Sequence, residues 1–150
     1  MYTVQEGMTA FLECRVRHLG NGSVSWVREK DRRILAVDRE VFISDPRLDI
    51  KQRDDLWSLN IQNVVAEDEG GYQCQVSAEI VLSKMIDLVV LVPRVEILPP
   101  GERHVKVGSK VLMLCVVDHV LESPLHVAWI RNEKVISILT LRWSNIDIYY

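Results

Sequence analysis

One short stretch, residues 68–74 (DEGGYQC), constrains what this chain can fold into more than any other. It has the pattern D-x-G-x-Y-x-C, in which a glycine turn leads into a strand. Because side chains alternate along a strand, Tyr72 and Cys74 point to the same face. Another cysteine, Cys14, lies sixty residues upstream of Cys74, and Trp26 follows Cys14 by twelve residues. The spacing therefore predicts a core in which a long-range disulfide meets aromatic rings.

This constellation is typical of an immunoglobulin domain, whose tyrosine corner lies two residues before the second cysteine. We expect an all-β, immunoglobulin-like β-sandwich, with Trp26 packed against a Cys14–Cys74 disulfide. Closing a loop of about 60 residues contributes about 4 kcal/mol on the chain-entropy account. Arg47 is the expected ion-pair partner of Asp68, which closes one end of the sandwich.

The chain divides into two predicted domains, residues 1–93 and 94–150. The segment between Trp26 and Arg47 leaves room for C′ and C″ strands, so the first domain is predicted to be variable-type, with about nine strands. Cys115 and Trp129 repeat the opening of the first domain, but no second tyrosine corner follows them. We therefore expect a truncated second immunoglobulin-like domain with its A to C/C′ strands only.

Composition and motifs favour protein binding over catalysis. The net charge is −3, and the Lys and Arg residues form no basic run, so no nucleic-acid partner is expected. No metal-ligand spacing, phosphate-binding glycine loop or nucleophile motif occurs, which predicts no enzyme, no cofactor, no metal site and no small-molecule substrate. A disulfide indicates an extracellular or cell-surface address, although the chain shows no signal peptide or membrane anchor.

The alternation that turns Tyr72 and Cys74 inward turns Gln73, Gln75 and Ser77 outward. On the predicted C strand, the inward position of Trp26 likewise places Val27 outward. The next segment, residues 34–37, is apolar throughout, so either Ile34 and Ala36 or Leu35 and Val37 face out. Apolar side chains with an amide rim are what a modest protein interface requires. A separate motif, Asn21-Gly22-Ser23, is a candidate N-glycosylation sequon in a turn.

Residues 4–93 resemble the first immunoglobulin domain of the defective proboscis extension response (Dpr) proteins, which are neuronal cell-surface proteins. The segments that carry the resemblance are residues 10–16, 18–28, 33–37, 44–47 and 72–77. It implies binding to Dpr-interacting immunoglobulin proteins through the C, C′, F and G strands, in neuronal wiring and synapse specificity. Carried over by strand position, the partner-binding residues are Val27, Leu35, Val37, Phe42, Gln73, Gln75 and Ser77. A homodimeric adhesion module and a soluble secreted ligand or decoy are the alternatives.

Overall fold

The structure, a computed structural model, describes residues 1–77 and 80–140. The chain divides into two compact units, Met1–Val92 and Pro93–Tyr150. This division falls one residue before the predicted boundary after residue 93. Residues 141–150 of the predicted second domain lie outside the described part of the chain.

Within residues 1–77 and 80–92, the first unit contains nine strands and one short 3-10 turn, Ala66–Asp68. The strands are β1 (Tyr2–Gln5), β2 (Ala10–Arg15), β3 (Ser23–Arg28), β4 (Arg33–Val37), β5 (Glu40–Val41), β6 (Leu48–Arg53), β7 (Leu56–Ile61), β8 (Gly70–Ser77) and β9 (Leu82–Leu91). They form a six-stranded sheet in the order β1-β9-β8-β3-β4-β5 and a three-stranded sheet in the order β2-β7-β6. Within the six-stranded sheet, β1 runs parallel to β9 and the other neighbours are antiparallel. The predicted all-β immunoglobulin-like sandwich is confirmed.

The inward faces of the two sheets meet around Trp26, which is fully buried. Alternation produces this core: along β2, Ala10, Leu12 and Cys14 are buried, while the residues between them are exposed. A disulfide joins Cys14 of β2 to Cys74 of β8 and so links the two sheets covalently. Both cysteines belong to the same buried cluster as Trp26.

A polar corner closes one end of this core. The buried Tyr72 hydroxyl donates a hydrogen bond of 2.7 Å to the carbonyl oxygen of Asp68. The Asp68 carboxylate accepts two bonds from the Arg47 guanidinium, at 2.6 and 3.0 Å, and one from the Val65 N–H at 2.9 Å. Burial, reinforced by the nearby Asp68 charge, raises the pKa of Tyr72 to about 12. The corner therefore favours a neutral phenol and a paired carboxylate.

Arg47 has a second acidic partner, since Asp45 accepts bonds of 3.1 and 2.9 Å from its guanidinium. Hydrogen bonding to Arg47 lowers the pKa of Asp45, and the two acids together raise the pKa of Arg47. The ion pair that the sequence predicts between Arg47 and Asp68 is thus part of a three-residue network.

The described part of the second unit, residues 93–140, contains four strands: β10 (Arg94–Leu98), β11 (Leu114–Asp118), β12 (His126–Arg131) and β13 (Lys134–Thr140). β10 pairs with β11 and β12 with β13, giving two separate antiparallel hairpin-like sheets. Trp129 on β12 is buried, and the half-buried Cys115 on β11 is a free thiol. The assignment of this unit as a truncated immunoglobulin-like domain with its A to C/C′ strands only stays a prediction.

Candidate protein-binding face

The outward side of the six-stranded sheet carries a row of mainly apolar side chains across four strands. Strand register aligns Met85 of β9 with Gln73 of β8, Gln73 with Val27 of β3, and Val27 with Ile34 of β4. These side chains lie opposite the core because the neighbouring positions, such as Trp26, point inward.

A second row, parallel to the first, is more polar. It aligns Ser83 with Gln75, Gln75 with Ser25, and Ser25 with Val37. Ser77 is exposed at the end of β8, beyond this row. We call the surface formed by these two rows, which comprise Met85, Gln73, Val27, Ile34, Ser83, Gln75, Ser25 and Val37, the outer face.

Leu35 is a correction to the sequence-based expectation, because it lies in the core and is only 1 % exposed. The β3–β4 register shifts between Trp26, which pairs with Ala36, and Val27, which pairs with Ile34. This β-bulge leaves Leu35 as the extra residue of β4, so simple alternation fails there. Leu35 and Ala36 both turn inward, and Ile34 takes the outward position instead.

Two exposed apolar residues lie on the outer face: Ile34, which the sequence left as one of two outward alternatives, and Met85, which sequence reasoning missed. Ile34 is 53 % exposed and Met85 is 50 % exposed. The inward position of Ile86 could have revealed Met85, because neighbours along a strand face opposite sides. Phe42, which was predicted for the interface, follows β5 at the edge of the sheet and is 63 % exposed. Val27 is buried within the outer face, between its neighbours Gln73 and Ile34.

An ion-pair network holds the turn that leads into Ile34. Arg28 donates two hydrogen bonds to the Asp31 carboxylate, at 3.1 and 2.6 Å. The backbone N–H of Arg33 also donates to Asp31. Hydrogen bonding to Arg28 lowers the pKa of Asp31 to about 2, so this carboxylate stays charged at neutral pH. The turn next to the outer face is therefore braced by charged groups.

Gly71 on β8 lets the side chains of Glu29 and Met85 pack close to the backbone at the end of the outer face. A Cβ at Gly71 would stand 3.2 Å from both the Glu29 Cγ and the Met85 Cε. Such a distance is tighter than ordinary van der Waals contact, so a larger residue would displace one of these neighbours. The absence of a side chain at Gly71 therefore leaves room for Met85 to pack against the sheet.

Asn21 is exposed at the turn before β3, as the sequon requires. Its sequon residue Ser23 pairs with Ser77 at the end of the β3–β8 ladder. A glycan at Asn21 would therefore start at one end of the sheet rather than over Met85, Val27 or Ile34.

Among residues 1–77 and 80–140, no group of three or more His, Cys, Asp and Glu side chains is arranged to hold a metal ion. Within the same residues, no helix has the length and apolarity needed to cross a membrane. What the outer face offers chemically is apolar area, amides and hydroxyls, which suit non-covalent contact with another protein.

Comparison with protein families matches residues 1–88 to the immunoglobulin I-set domain. The limbic system-associated membrane protein of Rattus norvegicus is 31 % identical over 119 residues, which cover 77 % of this chain and 34 % of that protein. The chain thus spans about a third of the length of this curated relative. The matched relatives are immunoglobulin-domain adhesion proteins, a class without enzymatic activity.

Two solved structures are informative about the first unit. Dpr11 IG1 bound to DIP-gamma IG+IG2 is 51 % identical with a TM-score of 0.56, covering 59 % of this chain and 95 % of that one. The ZIG-8 IG1 homodimer is 26 % identical with a TM-score of 0.56, covering 60 % of this chain and 77 % of that one. The similarity of the first unit therefore extends to immunoglobulin domains in both mixed and self-paired complexes.

Proposed function

Since the chain belongs to the immunoglobulin I-set family, we propose that its first unit is a cell-surface recognition and adhesion module. It binds another immunoglobulin-superfamily protein through the outer face, without catalysis or cofactor. The Cys14–Cys74 disulfide supports an extracellular location, because such a bond persists in an oxidising compartment.

One observation carries this proposal: Ile34 and Met85 each expose about half of their surface on a sheet face whose opposite side is a complete core. Between them lie only the buried Val27 and the neutral Gln73. A face whose centre carries no charge has no ion to desolvate when a partner covers it, and depletion of charge is typical of interface cores. Because Ile34 and Met85 belong to one mainly apolar row across neighbouring strands, this row supports recognition as the role of the face.

The class of partner is suggested by the 51 % identity to Dpr11 IG1, which was solved bound to DIP-gamma IG+IG2. We propose that this chain binds Dpr-interacting immunoglobulin proteins in the same heterophilic manner, in neuronal wiring and synapse specificity. The contact residues under this proposal are Val27, Ile34, Val37, Phe42, Gln73, Gln75, Ser77 and Met85.

Self-association through the same face is the second candidate, favoured by the likeness to the ZIG-8 IG1 homodimer. A two-fold contact would place one copy's apolar row against that of another copy. Because both candidates use the outer face, substitutions there would affect both. Sedimentation of the chain alone distinguishes them, since only self-association gives a dimer without a partner.

The test compares two aspartate substitutions at sites of nearly equal exposure. Ile34→Asp alters the outer face, where Ile34 is 53 % exposed, and Phe11→Asp alters the opposite sheet, where Phe11 is 55 % exposed. Because docking would bury an unpaired carboxylate, we expect Ile34→Asp to weaken binding to immobilised DIP-gamma IG+IG2 by about tenfold or more. Phe11→Asp should bind as the unaltered chain does.

Melting temperatures within about 2 °C of the unaltered chain would show that both variants remain folded, since surface changes usually cost little stability. Equal binding by the Ile34→Asp variant and the unaltered chain would refute the outer face as the binding surface. Loss of binding in the Phe11→Asp variant alone would place the interface on the other sheet.

A further inference from the structure

Two glutamines in the middle of the outer face are hydrogen-bonded to each other. The Gln75 Nε2 donates to the Gln73 Oε1 at 2.6 Å, and both side chains are partly buried. They are two residues apart on β8, so their amides lie side by side along one strand. This bond fixes the orientation of both amide groups before any partner arrives.

The pair still has unused hydrogen-bonding capacity. An amide side chain has two donor hydrogens and a carbonyl oxygen with two lone pairs. No hydrogen bond among the described residues uses the Gln73 Nε2 donors or the Gln75 Oε1 acceptor. Gln73 is flanked by Val27, whose side chain has no polar atom, and by Met85, whose thioether sulfur is only a weak acceptor. A partner covering this row would remove water from the pair and would have to replace its hydrogen bonds.

We infer that Gln73 and Gln75 act as one neutral hydrogen-bonding unit that selects a partner with an amide side chain opposite it. This inference rests on the proposed function and adds the chemistry that the partner must present. A glutamine or asparagine amide offers one donor side and one acceptor side, which complements the free Gln73 donors and the free Gln75 acceptor. A wholly apolar or a carboxylate-bearing centre would leave part of the pair unpaired.

The glutamine pair therefore contributes to the specificity of binding more than to its affinity. Apolar contacts with Ile34 and Met85 are available to many partners, since apolar burial is non-directional. An unpaired amide in a covered interface is costly, so it penalises each partner that lacks the matching group. The apolar row thus supplies contact area, and the glutamine pair discriminates among the proteins that could cover it.

The test measures binding of the whole chain to immobilised DIP-gamma IG+IG2 by surface plasmon resonance. Gln73→Met, Gln75→Met and the double variant keep side-chain length while removing the amides. We expect each single variant to bind about tenfold more weakly. Because the two amides act as a unit, the double variant should also lose about tenfold rather than the hundredfold product. The control Gln62→Met changes an exposed glutamine that follows β7 of the other sheet, and binding should stay within about twofold.

Melting temperatures check that the methionine variants remain folded. Unchanged or tighter binding by the double variant would overturn the inference, because apolar contact alone would then suffice. A hundredfold loss in the double variant would overturn the single unit in favour of two separate contacts. If the unaltered chain fails to bind the DIP-gamma fragment, or if Ile34→Asp has no effect, the proposed function fails instead, and the assignment of the partner fails with it.

Discussion

Replacing Tyr72 by phenylalanine tests the buried corner that closes the first unit. The substitution removes one oxygen and the 2.7 Å hydrogen bond to the Asp68 carbonyl, and it leaves the aromatic ring in the core. A hydrogen bond of this kind contributes about 1 kcal/mol to stability. At pH 7 we therefore expect Tyr72→Phe to lower the free energy of unfolding by about that amount.

The pH dependence gives a sharper expectation. Burial raises the pKa of Tyr72 to about 12, whereas an unfolded tyrosine titrates near 10. The folded state therefore holds this proton to higher pH than the unfolded chain does. The contribution of the neutral phenol is complete below about pH 10 and is lost as the pH rises toward about 12. At about pH 11 the loss amounts to roughly 1.4 kcal/mol, which exceeds the value of the hydrogen bond.

The free energy of unfolding at pH 7, 10 and 11 can be measured by urea titration followed by tryptophan fluorescence. The unaltered chain should be more stable than the Tyr72→Phe variant at pH 7, and the two should be about equal at pH 11. Other titrating groups are common to both proteins and cancel in the difference. A stability difference that stays constant from pH 7 to pH 11 would refute the buried phenol as its source.

Three further substitutions test the buried ion pair, the disulfide and the glycosylation sequon of the first unit. Arg47→Ala leaves the buried Asp68 carboxylate without its cation and should lower the free energy of unfolding by about 2–3 kcal/mol in urea; a change below about 0.5 kcal/mol would contradict this. Replacing Cys14 and Cys74 by alanine opens a loop of 60 residues and should cost about 4 kcal/mol in the same assay, whereas unchanged stability would contradict a structural disulfide. Asn21→Gln should raise gel mobility by one glycan in protein secreted from eukaryotic cells and leave DIP-gamma binding intact; mobility unchanged by glycosidase treatment of the unaltered chain would show that the sequon is unused.

Sequence reasoning succeeds where a physical constraint is local or periodic. The positions of Cys14, Trp26 and Cys74 follow from spacing, and strand alternation turns Tyr72 inward and Gln73 outward. The first depends on a characteristic spacing of residue types along the chain, and the second on alternation that is visible within a few residues. The sandwich and its core could therefore be predicted from the sequence.

The outer face is harder to predict because one bulge breaks the alternation. Residues 34–37 are apolar at each position, so the sequence does not indicate which of them face the core. The register shift after Trp26 places Leu35 inward and Ile34 outward. This shift is set by the pairing of β3 with β4, which the sequence pattern of β4 alone does not specify. The bond between Gln73 and Gln75 is likewise a matter of side-chain conformation, which periodicity does not specify.

Side-chain footprinting by hydroxyl radicals can show whether a partner covers the outer face. Two methionines of similar exposure report on different surfaces. Met85 lies on the outer face and is 50 % exposed, while Met8 lies in the turn between β1 and β2 and is 48 % exposed. Both should be oxidised at similar rates in the free chain. With saturating DIP-gamma IG+IG2, we expect oxidation of Met85 to fall several-fold and oxidation of Met8 to stay unchanged. Undiminished oxidation of Met85 in the complex, or protection of Met8 in its place, would contradict recognition through the outer face.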